Sequence, residues 1–288
     1  MTMSLRRRKL SSGYSLIELM VSVAISAFFI STAMSFLLSA RTAHSTQDAG
    51  SRVRENARFA MDELSGMIRM AGHVDLLRAG TEIPDGQFFT GACGAFDPCT
   101  ADGADGASDR IAVMLNPPPD DGTDSDCFGN PLSGDTETAA TSVVANLYFI
   151  GDDANGISSL QCQSFTISSV GVATVLTNAQ VLVSGIDNMQ LQYGVSDITQ
   201  LSQLDTVVQR YVSAETVAGL PLLDGAVTPW IDIKSVRIAL VANSGFNDNS
   251  NPLGDQSFEL LDAGELEYDG TGRREAFSTT VLINNARI

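Results

Sequence analysis

The chain has 288 residues and a formal net charge of −17, because 34 acidic side chains stand against 17 Lys and Arg. Such an acidic surface excludes the usual nucleic-acid-binding protein, since phosphate binding depends on Lys and Arg. Roughly 245 residues follow the apolar segment near the N-terminus, and we expect them to bury the core of one globular domain.

The first predicted element is a membrane helix. The apolar run Leu19 to Ala40 holds 22 residues without a formal charge. As a helix it is roughly 33 Å long, which is enough to cross the ~30 Å hydrocarbon core of a bilayer. Its polar leader, Met1 to Ser12, carries four basic residues in a row. The positive-inside rule then places the N-terminus in the cytoplasm and the rest of the chain outside.

Glu18 is an unusual residue for the mouth of this helix, because a charged side chain costs roughly 2.5–3.5 kcal/mol at mid-bilayer and less towards the ends. If the chain were cut after Gly13, the new amine at Tyr14 would lie one helical turn from Glu18 and would compensate its charge. The alternative is a plain anchor or a cleaved secretory signal, in which Glu18 merely favours a helix N-terminus. A secretory signal has a shorter apolar core of about 7–15 residues and small residues before the cut.

The basic leader followed by Gly13-Tyr14-Ser15-Leu16-Ile17-Glu18 resembles the class III signal of type IV pilins and pseudopilins. The resemblance implies that a prepilin peptidase cuts between Gly13 and Tyr14 and that Tyr14 becomes N-methylated. It also implies that Glu18 sets the register of the subunit against a neighbour's amine. Tyr14 replaces the usual Phe but keeps an aromatic ring. Ser35 stands where major pilins usually have a kinking Pro, which favours a straight helix and a minor subunit.

Small residues recur every four positions along the apolar run, at Ala27, Ser31, Ser35 and Ser39. This spacing lays them along one stripe and lets another helix approach closely. Small residues are common in membrane helices, so the stripe alone decides little. Together with Glu18 it favours a helix in the core of a filament.

The helix is predicted to continue beyond the membrane. Apolar residues repeat at three and four positions while charged ones take the other side, and Arg69, Ala71 and Gly72 signal its end. From Tyr14 to Ala71 it would be 58 residues, or roughly 87 Å, long. The apolar stripe consists of Val53, Ala57, Ala60, Met61, Leu64, Met67 and Ile68, and Arg54, Glu55, Arg58, Asp62 and Glu63 lie opposite.

Several segments resemble PilW-type minor pilins in particular. They are residues 54–64 and 67–72 of the helix, and then 126–130, 160–162, 186–194, 236–238 and 277–281. The likeness spans nearly the whole chain apart from Asp-rich loops and residues 245–272. It implies a pilin-like α+β fold, in which the long N-terminal helix packs on an antiparallel β-sheet domain. The expected organisation is a leader (1–13), a transmembrane helix (14–40), its amphipathic continuation (41–72) and a periplasmic domain (73–288).

After residue 81 the apolar period changes to that of strands separated by short turns, which fits an antiparallel sheet. The predicted strands are Ile111–Leu115, Val143–Ile150, Ser164–Ser169, Val172–Leu176, Val181–Ser184, Met189–Tyr193, Ile231–Val241 and Phe277–Ile283. A phase slip near Ser235 predicts a bulge, and a short helix is predicted over Ser213–Gly219.

The four cysteines, Cys93, Cys99, Cys127 and Cys162, lie in the part expected outside, where an even count predicts two disulfides. Three connectivities are possible, and local closure favours Cys93–Cys99 and Cys127–Cys162. The PilW resemblance supports the second pair. A zinc site needs closer cysteine pairs than these.

Ten Asp lie between residues 85 and 135, in the loops Asp102–Asp109 and Asn116–Asp126, and clustered Asp oxygens are ligands that calcium prefers. Neither loop fits the full calcium-loop pattern with its closing Glu. We expect solvated turns there, and also at Asn247–Asn251.

No catalytic motif accompanies the two histidines, His44 and His73, and we interpret His73 as a helix-end residue. The sequence has no phosphate loop and no dinucleotide fingerprint. We therefore expect no enzymatic activity, no cofactor and no metal.

The resemblance implies a minor pilin of a type IV pilus, made as a single-pass inner-membrane precursor and assembled into a tip or priming complex. The implied partners are other minor pilins, the major pilin, the assembly platform, an adhesin-like tip protein and the prepilin peptidase. A type II secretion pseudopilin is an alternative with the same leader. A membrane-anchored periplasmic enzyme or ligand-binding protein is an alternative of a different class.

Overall fold

The computed structural model describes residues 13–74, 86–116, 126–129, 143–196, 207–222, 228–244, 254–270 and 272–285. By their internal contacts the residues form two units, Met1–Gln47 and Asp48–Ile288. The leader before Gly13, nearly all of the Asn116–Asp126 loop and the Asn247–Asn251 segment lie outside the described residues.

One long helix, α1 (Leu16–Met70), runs through 55 residues without interruption. It begins two residues after the predicted start, and it ends where the sequence places a C-cap. There Gly72 adopts a φ of +72°, which favours glycine, and its N–H donates to the carbonyl of Met114 at 2.8 Å. A side chain at Gly72 would also press on Gln87, whose Cγ lies 3.1 Å from an added Cβ.

Ten strands and a second short helix complete the fold. The strands are β1 (Ile111–Leu115), β2 (Val143–Asp152), β3 (Ser158–Ile167), β4 (Ala173–Ser184), β5 (Ile186–Val195), β6 (Arg210–Val212), β7 (Ser235–Asn243), β8 (Gln256–Leu260), β9 (Gly264–Tyr268) and β10 (Arg274–Leu282), and α2 is Ala214–Ala218. Every strand pair in the described part of the chain is antiparallel, as predicted.

The strands form two four-stranded sheets and a hairpin, where the sequence suggested one sheet. The orders are β1-β2-β3-β4 and β10-β7-β5-β6, with β8-β9 apart. The change of sheet occurs at Gly185, whose φ is +81°. Its N–H donates to Ser158 in the first sheet, while its carbonyl accepts from Asn243 in the second. Because of this turn β5 pairs with β7 and leaves β4 at the edge.

The predicted apolar stripe of α1 enters the main core of the second unit. The buried helix residues are Ala49, Gly50, Val53, Ala57, Ala60, Leu64 and Ile68, whereas Met61 and Met67 are partly buried. They meet inward-facing residues of both sheets, such as Ile111, Tyr148, Leu191 and Ile238. A helix that packs on antiparallel sheets gives the predicted α+β class.

Two details of the prediction were wrong. There is no bulge at Ser235, because a 3-10 turn over Pro229–Asp232 precedes β7, and the strand then pairs in regular register from Ser235 onwards. The Asp102–Asp109 loop is not simply solvated. Asp109 is buried, and both carboxylate oxygens of Asp102 accept N–H groups at the start of α2, from Ala214 and Glu215 at 2.7 Å.

Candidate functional site

The three residues predicted to direct processing and assembly lie just before α1 and in its first turn. Gly13 and Tyr14 precede the helix and are exposed, and the carbonyl of Ser15 accepts the first helical bond, from Leu19 at 3.1 Å. Glu18 lies in the first turn. A carboxylate is favourable there because the first N–H groups of a helix have no intrahelical partner.

The first unit leaves the apolar surface of its helix uncovered. None of the most apolar 18-residue window is buried. The exposed large side chains include Leu16, Ile17, Met20, Val23, Phe28, Phe29, Ile30 and Phe36. By length and composition this helix can span a bilayer. A continuous apolar surface of this kind calls for lipid or other protein around it.

Several hydroxyl groups within the apolar segment bond to the helix itself. Ser26 donates to the carbonyl of Ser22 at 2.7 Å, Thr32 to that of Phe29 at 2.9 Å, and Ser35 to that of Ser31 at 3.0 Å. Because each bond closes within one turn, these hydroxyls need no water and fit a hydrocarbon environment.

The predicted small residues Ala27, Ser31, Ser35 and Ser39 all fall within this unbroken helix. A spacing of four residues places them on one side of it. Bulky Phe28, Phe29 and Phe36 occupy the intervening positions and are exposed. The structure thus gives the helix one side along which a second backbone could approach closely.

In the second unit, polar contacts fix the helix against β10 and β2. Gly50 allows the Arg273 guanidinium to lie against the helix, 3.3 Å from where a Cβ would be. Glu275 accepts from Arg273 at 2.6 Å and from Arg54 at 3.3 Å. The sequence did not indicate the contacts of Gly50 and Arg54, because partners more than 200 positions apart leave no local pattern.

Glu63 provides a further contact that the sequence did not indicate. It was assigned to the polar side of the helix, yet it accepts a hydrogen bond from the Tyr148 hydroxyl at 3.2 Å. Burial, with the nearby Glu63 charge, raises the Tyr148 pKa well above its ordinary value. The phenol therefore stays protonated and donates to Glu63.

All four cysteines form disulfides, Cys93–Cys99 and Cys127–Cys162. The second joins the segment 126–129 to β3 inside the main core. The first closes a loop over the other face of the first sheet. Asp126 reinforces the second attachment by accepting from the Thr177 hydroxyl of β4 at 2.6 Å.

The described residues contain no group of three or more His, Cys, Asp or Glu placed to hold a metal ion. His73 follows α1, where its N–H donates to the carbonyl of Met70 at 2.9 Å and its carbonyl accepts from Asn116 at 2.8 Å. It thus occupies the helix-end position that the sequence suggested.

Two protein families match the chain. Type IV Pilus-assembly protein W matches residues 147–285, from β2 to the end of β10. The prokaryotic N-terminal methylation motif matches residues 8–34, which include Gly13, Tyr14 and Glu18. Neither the curated proteins nor the solved structures include a match. The methylation motif at the start of an uncovered apolar helix and the PilW match across the sheets lead to one conclusion: the chain is a type IV pilin of the PilW family.

Proposed function

We propose that this pilin is a minor subunit that joins the tip or priming complex and starts assembly of the type IV pilus. The observation that carries the proposal is Glu18 in the first turn of a helix whose apolar surface is unburied. Ser35 in place of a kinking residue and the unbroken helix support a minor subunit. Its partners are the other minor pilins, the major pilin, the assembly platform and an adhesin-like tip protein.

The precursor is a single-pass protein of the inner membrane, with residues 1–13 as a cytoplasmic leader. Residues 14–40 cross the bilayer, residues 41–72 continue the helix, and residues 73–288 form the periplasmic domain. Prepilin peptidase cuts between Gly13 and Tyr14, and Tyr14 is N-methylated. Removing the leader's four basic residues leaves 13 Lys and Arg against 34 acids, a formal charge of −21.

The role of the helix is physical rather than catalytic. Burial of its apolar surface among neighbouring helices holds the subunit in the fibre, because lipid is exchanged for close helix packing. Glu18 then pairs with the N-terminal amine of a neighbour, which removes the cost of an unpaired charge in an apolar layer. That pairing fixes the axial position of the subunit.

Substitution of Glu18 tests this assignment. Glu18→Ala should leave cleavage and membrane insertion intact, since both depend on Gly13 and the apolar run. It should lower the amount of subunit in sheared fibres by at least about tenfold, because the N-terminal amine of the neighbouring subunit is then left unpaired in the apolar layer. Quantitative immunoblotting of the membrane and fibre fractions measures both quantities.

Asp62→Ala is the matched control, since Asp62 is an exposed acid on the same helix, with a side chain 73% exposed. It should assemble normally. Normal incorporation of Glu18→Ala would remove the registering role. N-terminal sequencing of the mature chain gives an independent test, with N-methyl-Tyr14 expected as its first residue.

Deletion of the gene tests the priming role. The proposal expects few or no surface fibres, with the major pilin accumulating in the membrane. Normal fibres together with a defect in protein secretion would instead assign the chain to a secretion system.

A further inference from the structure

The strand β4 lies at an edge of the first sheet, where it pairs with β3 on one side only among the described strands. It is twelve residues long, and seven of these are exposed. At the N-terminal end of the strand, which we call its outer end, two of the three exposed residues are apolar. Val175 is 46% and Leu176 39% exposed, and in the turn before them Val170 and Val172 are 82% and 58% exposed.

The residues of β4 carry none of the charges that usually protect such strands, and the carboxylates of Asp126 and Asp153 bond to it only farther along, at Thr177 and Ser184. Residues 154–186 contain no Asp, Glu, Lys or Arg, although the chain as a whole is strongly charged. An exposed edge strand presents unpaired backbone N–H and C=O groups, and native proteins commonly blunt it with charged side chains, Pro or short length. β4 has no Pro, no charge and above-average length.

Other edges of the described sheets differ from β4. β10 carries Arg274 and Glu275, β6 has only three residues, and the β8–β9 hairpin carries Glu259, Glu265 and Glu267 on its solvent side. β1, at the other edge of the first sheet, is buried and is covered by residues 87–89, where Phe88 bridges to Val113. Charge, short length or cover therefore protects the other edges of the described sheets, and β4 departs from them.

The regular part of β4 is its outer end. Ala173, Thr174 and Val175 pair in unbroken register with Ile167, Thr166 and Phe165, whereas register shifts occur farther along the strand. Such irregularities increase the local twist and hinder the addition of a long strand. A partner strand would therefore add over a short stretch, at Val172 to Leu176.

A neutral edge on an acidic protein suits a second copy of the same chain. When two such proteins approach through their acidic surfaces, like charges are brought together, and directly opposed like charges destabilise a strand pair. The uncharged segment avoids this cost. A strongly basic partner would instead gain from contact with acidic surface, so charge does not explain why it would choose β4.

We propose that two copies of this pilin pair through the outer ends of their β4 strands, antiparallel and about a two-fold axis. The pair makes one continuous eight-stranded sheet, and each copy uses the same residues. The contact is short and weak in solution, but anchoring both copies in one membrane raises their effective concentration.

This pairing goes beyond the proposed role in the fibre. A two-fold contact is closed, since each copy satisfies the other's edge, whereas subunits in a filament follow one another through open contacts. The paired form therefore belongs to the membrane pool before assembly. It covers a strand edge that would otherwise invite aggregation.

Single-cysteine crosslinking of the full-length chain in liposomes tests the proposal. All four native cysteines are in disulfides, so an introduced cysteine is the reactive thiol. Val172→Cys, Thr174→Cys, Val175→Cys and Leu176→Cys are each treated with a short bis-maleimide. Leu282→Cys is the matched control, because Leu282 is an apolar residue on the edge strand β10 and is 66% exposed.

The expected result is a dimer band that peaks at one of the four β4 positions, at least about fivefold above the Leu282→Cys control. Adding Val175→Lys to the cysteine variant should abolish the dimer band, because the two-fold axis brings the two new charges close together. Where the cysteine is at position 175, Thr174→Lys is used instead. The proposal is overturned by equal yields at positions 175 and 282, by a ladder of higher multimers, or by a dimer that persists with either lysine. If the introduced cysteine crosslinks in cells only to a different polypeptide, the pairing of two copies is overturned in favour of another partner.

Discussion

Asp109 shows how a single residue ties distant segments together. Its carboxylate accepts the backbone N–H of Gly103 and that of Leu191 in β5, both at 2.7 Å. Burial raises the pKa of Asp109 to about 7, the two hydrogen bonds oppose this rise, and the charges of Asp102 and Asp262 add to it. The sequence placed Asp109 in a solvated loop, because a bond to a backbone group 82 positions away leaves no local signal.

The raised pKa predicts a pH dependence of stability. Between pH 4 and 7 the folded chain holds a proton on Asp109 that the unfolded chain has released, so this residue's contribution to the free energy of unfolding falls as pH rises through 7. From pH 5 to pH 8 the loss is about 2–3 kcal/mol, at 1.36 kcal/mol per pKa unit. Asp109→Asn removes this titration and should flatten the profile by that amount.

Urea unfolding of the full chain in non-ionic detergent measures the difference. The single Trp, Trp230, is a local reporter because its ring packs on Tyr193, with centroids 4.9 Å apart. Asp62→Asn is the control, since Asp62 is exposed, and it should keep the wild-type slope. An Asp109→Asn profile as steep as the wild type would show that Asp109 does not titrate in this range.

At the scale of elements, periodicity predicted the helix and strands in which one side regularly faces the core. The α1 stripe follows a 3.6-residue period because the same side faces the core throughout, and β1 (Ile111–Leu115) matched the predicted bounds. The middle of β4 was missed because Thr177 to Gln180 lie on an edge, where no alternation is required. The β8–β9 hairpin was missed although Phe258, Leu266 and Tyr268 alternate with acids and pack on β7.

The two disulfides should differ in their contribution to stability. Cys127 and Cys162 are 35 positions apart, whereas Cys93 and Cys99 are six apart. In the chain-entropy description a longer closed loop restricts the unfolded state more, which gives about 4 kcal/mol for the first and about 2 kcal/mol for the second. Replacing both cysteines of a pair by Ser, with urea unfolding as the measurement, tests the order. The 93/99 variant is the matched control, and an equal or larger loss there would contradict the prediction.

At the scale of the whole molecule, residues 16–47 differ in kind from the rest. The second unit covers its own apolar helix side with two sheets, whereas in the first unit the apolar window is exposed and several hydroxyls bond within the helix. The sequence revealed this division through charge and length alone, because a membrane helix needs no partner within its own chain. The partners that eventually cover the helix lie outside the chain, so its sequence indicates the kind of contact and not the neighbour.

The small-residue stripe supplies the assembly prediction at this scale. Ser35 lies on the stripe, whereas Ala33 lies two residues away, which places it on the opposite side of the helix. Ser35→Leu should keep the helix and its membrane insertion but reduce the subunit in sheared fibres severalfold, because a bulky side chain holds the neighbouring backbone away. Ala33→Leu adds bulk on the opposite side and should assemble normally. Comparison of the two variants in membrane and fibre fractions decides the matter: equal incorporation would show that the stripe does not face a neighbour.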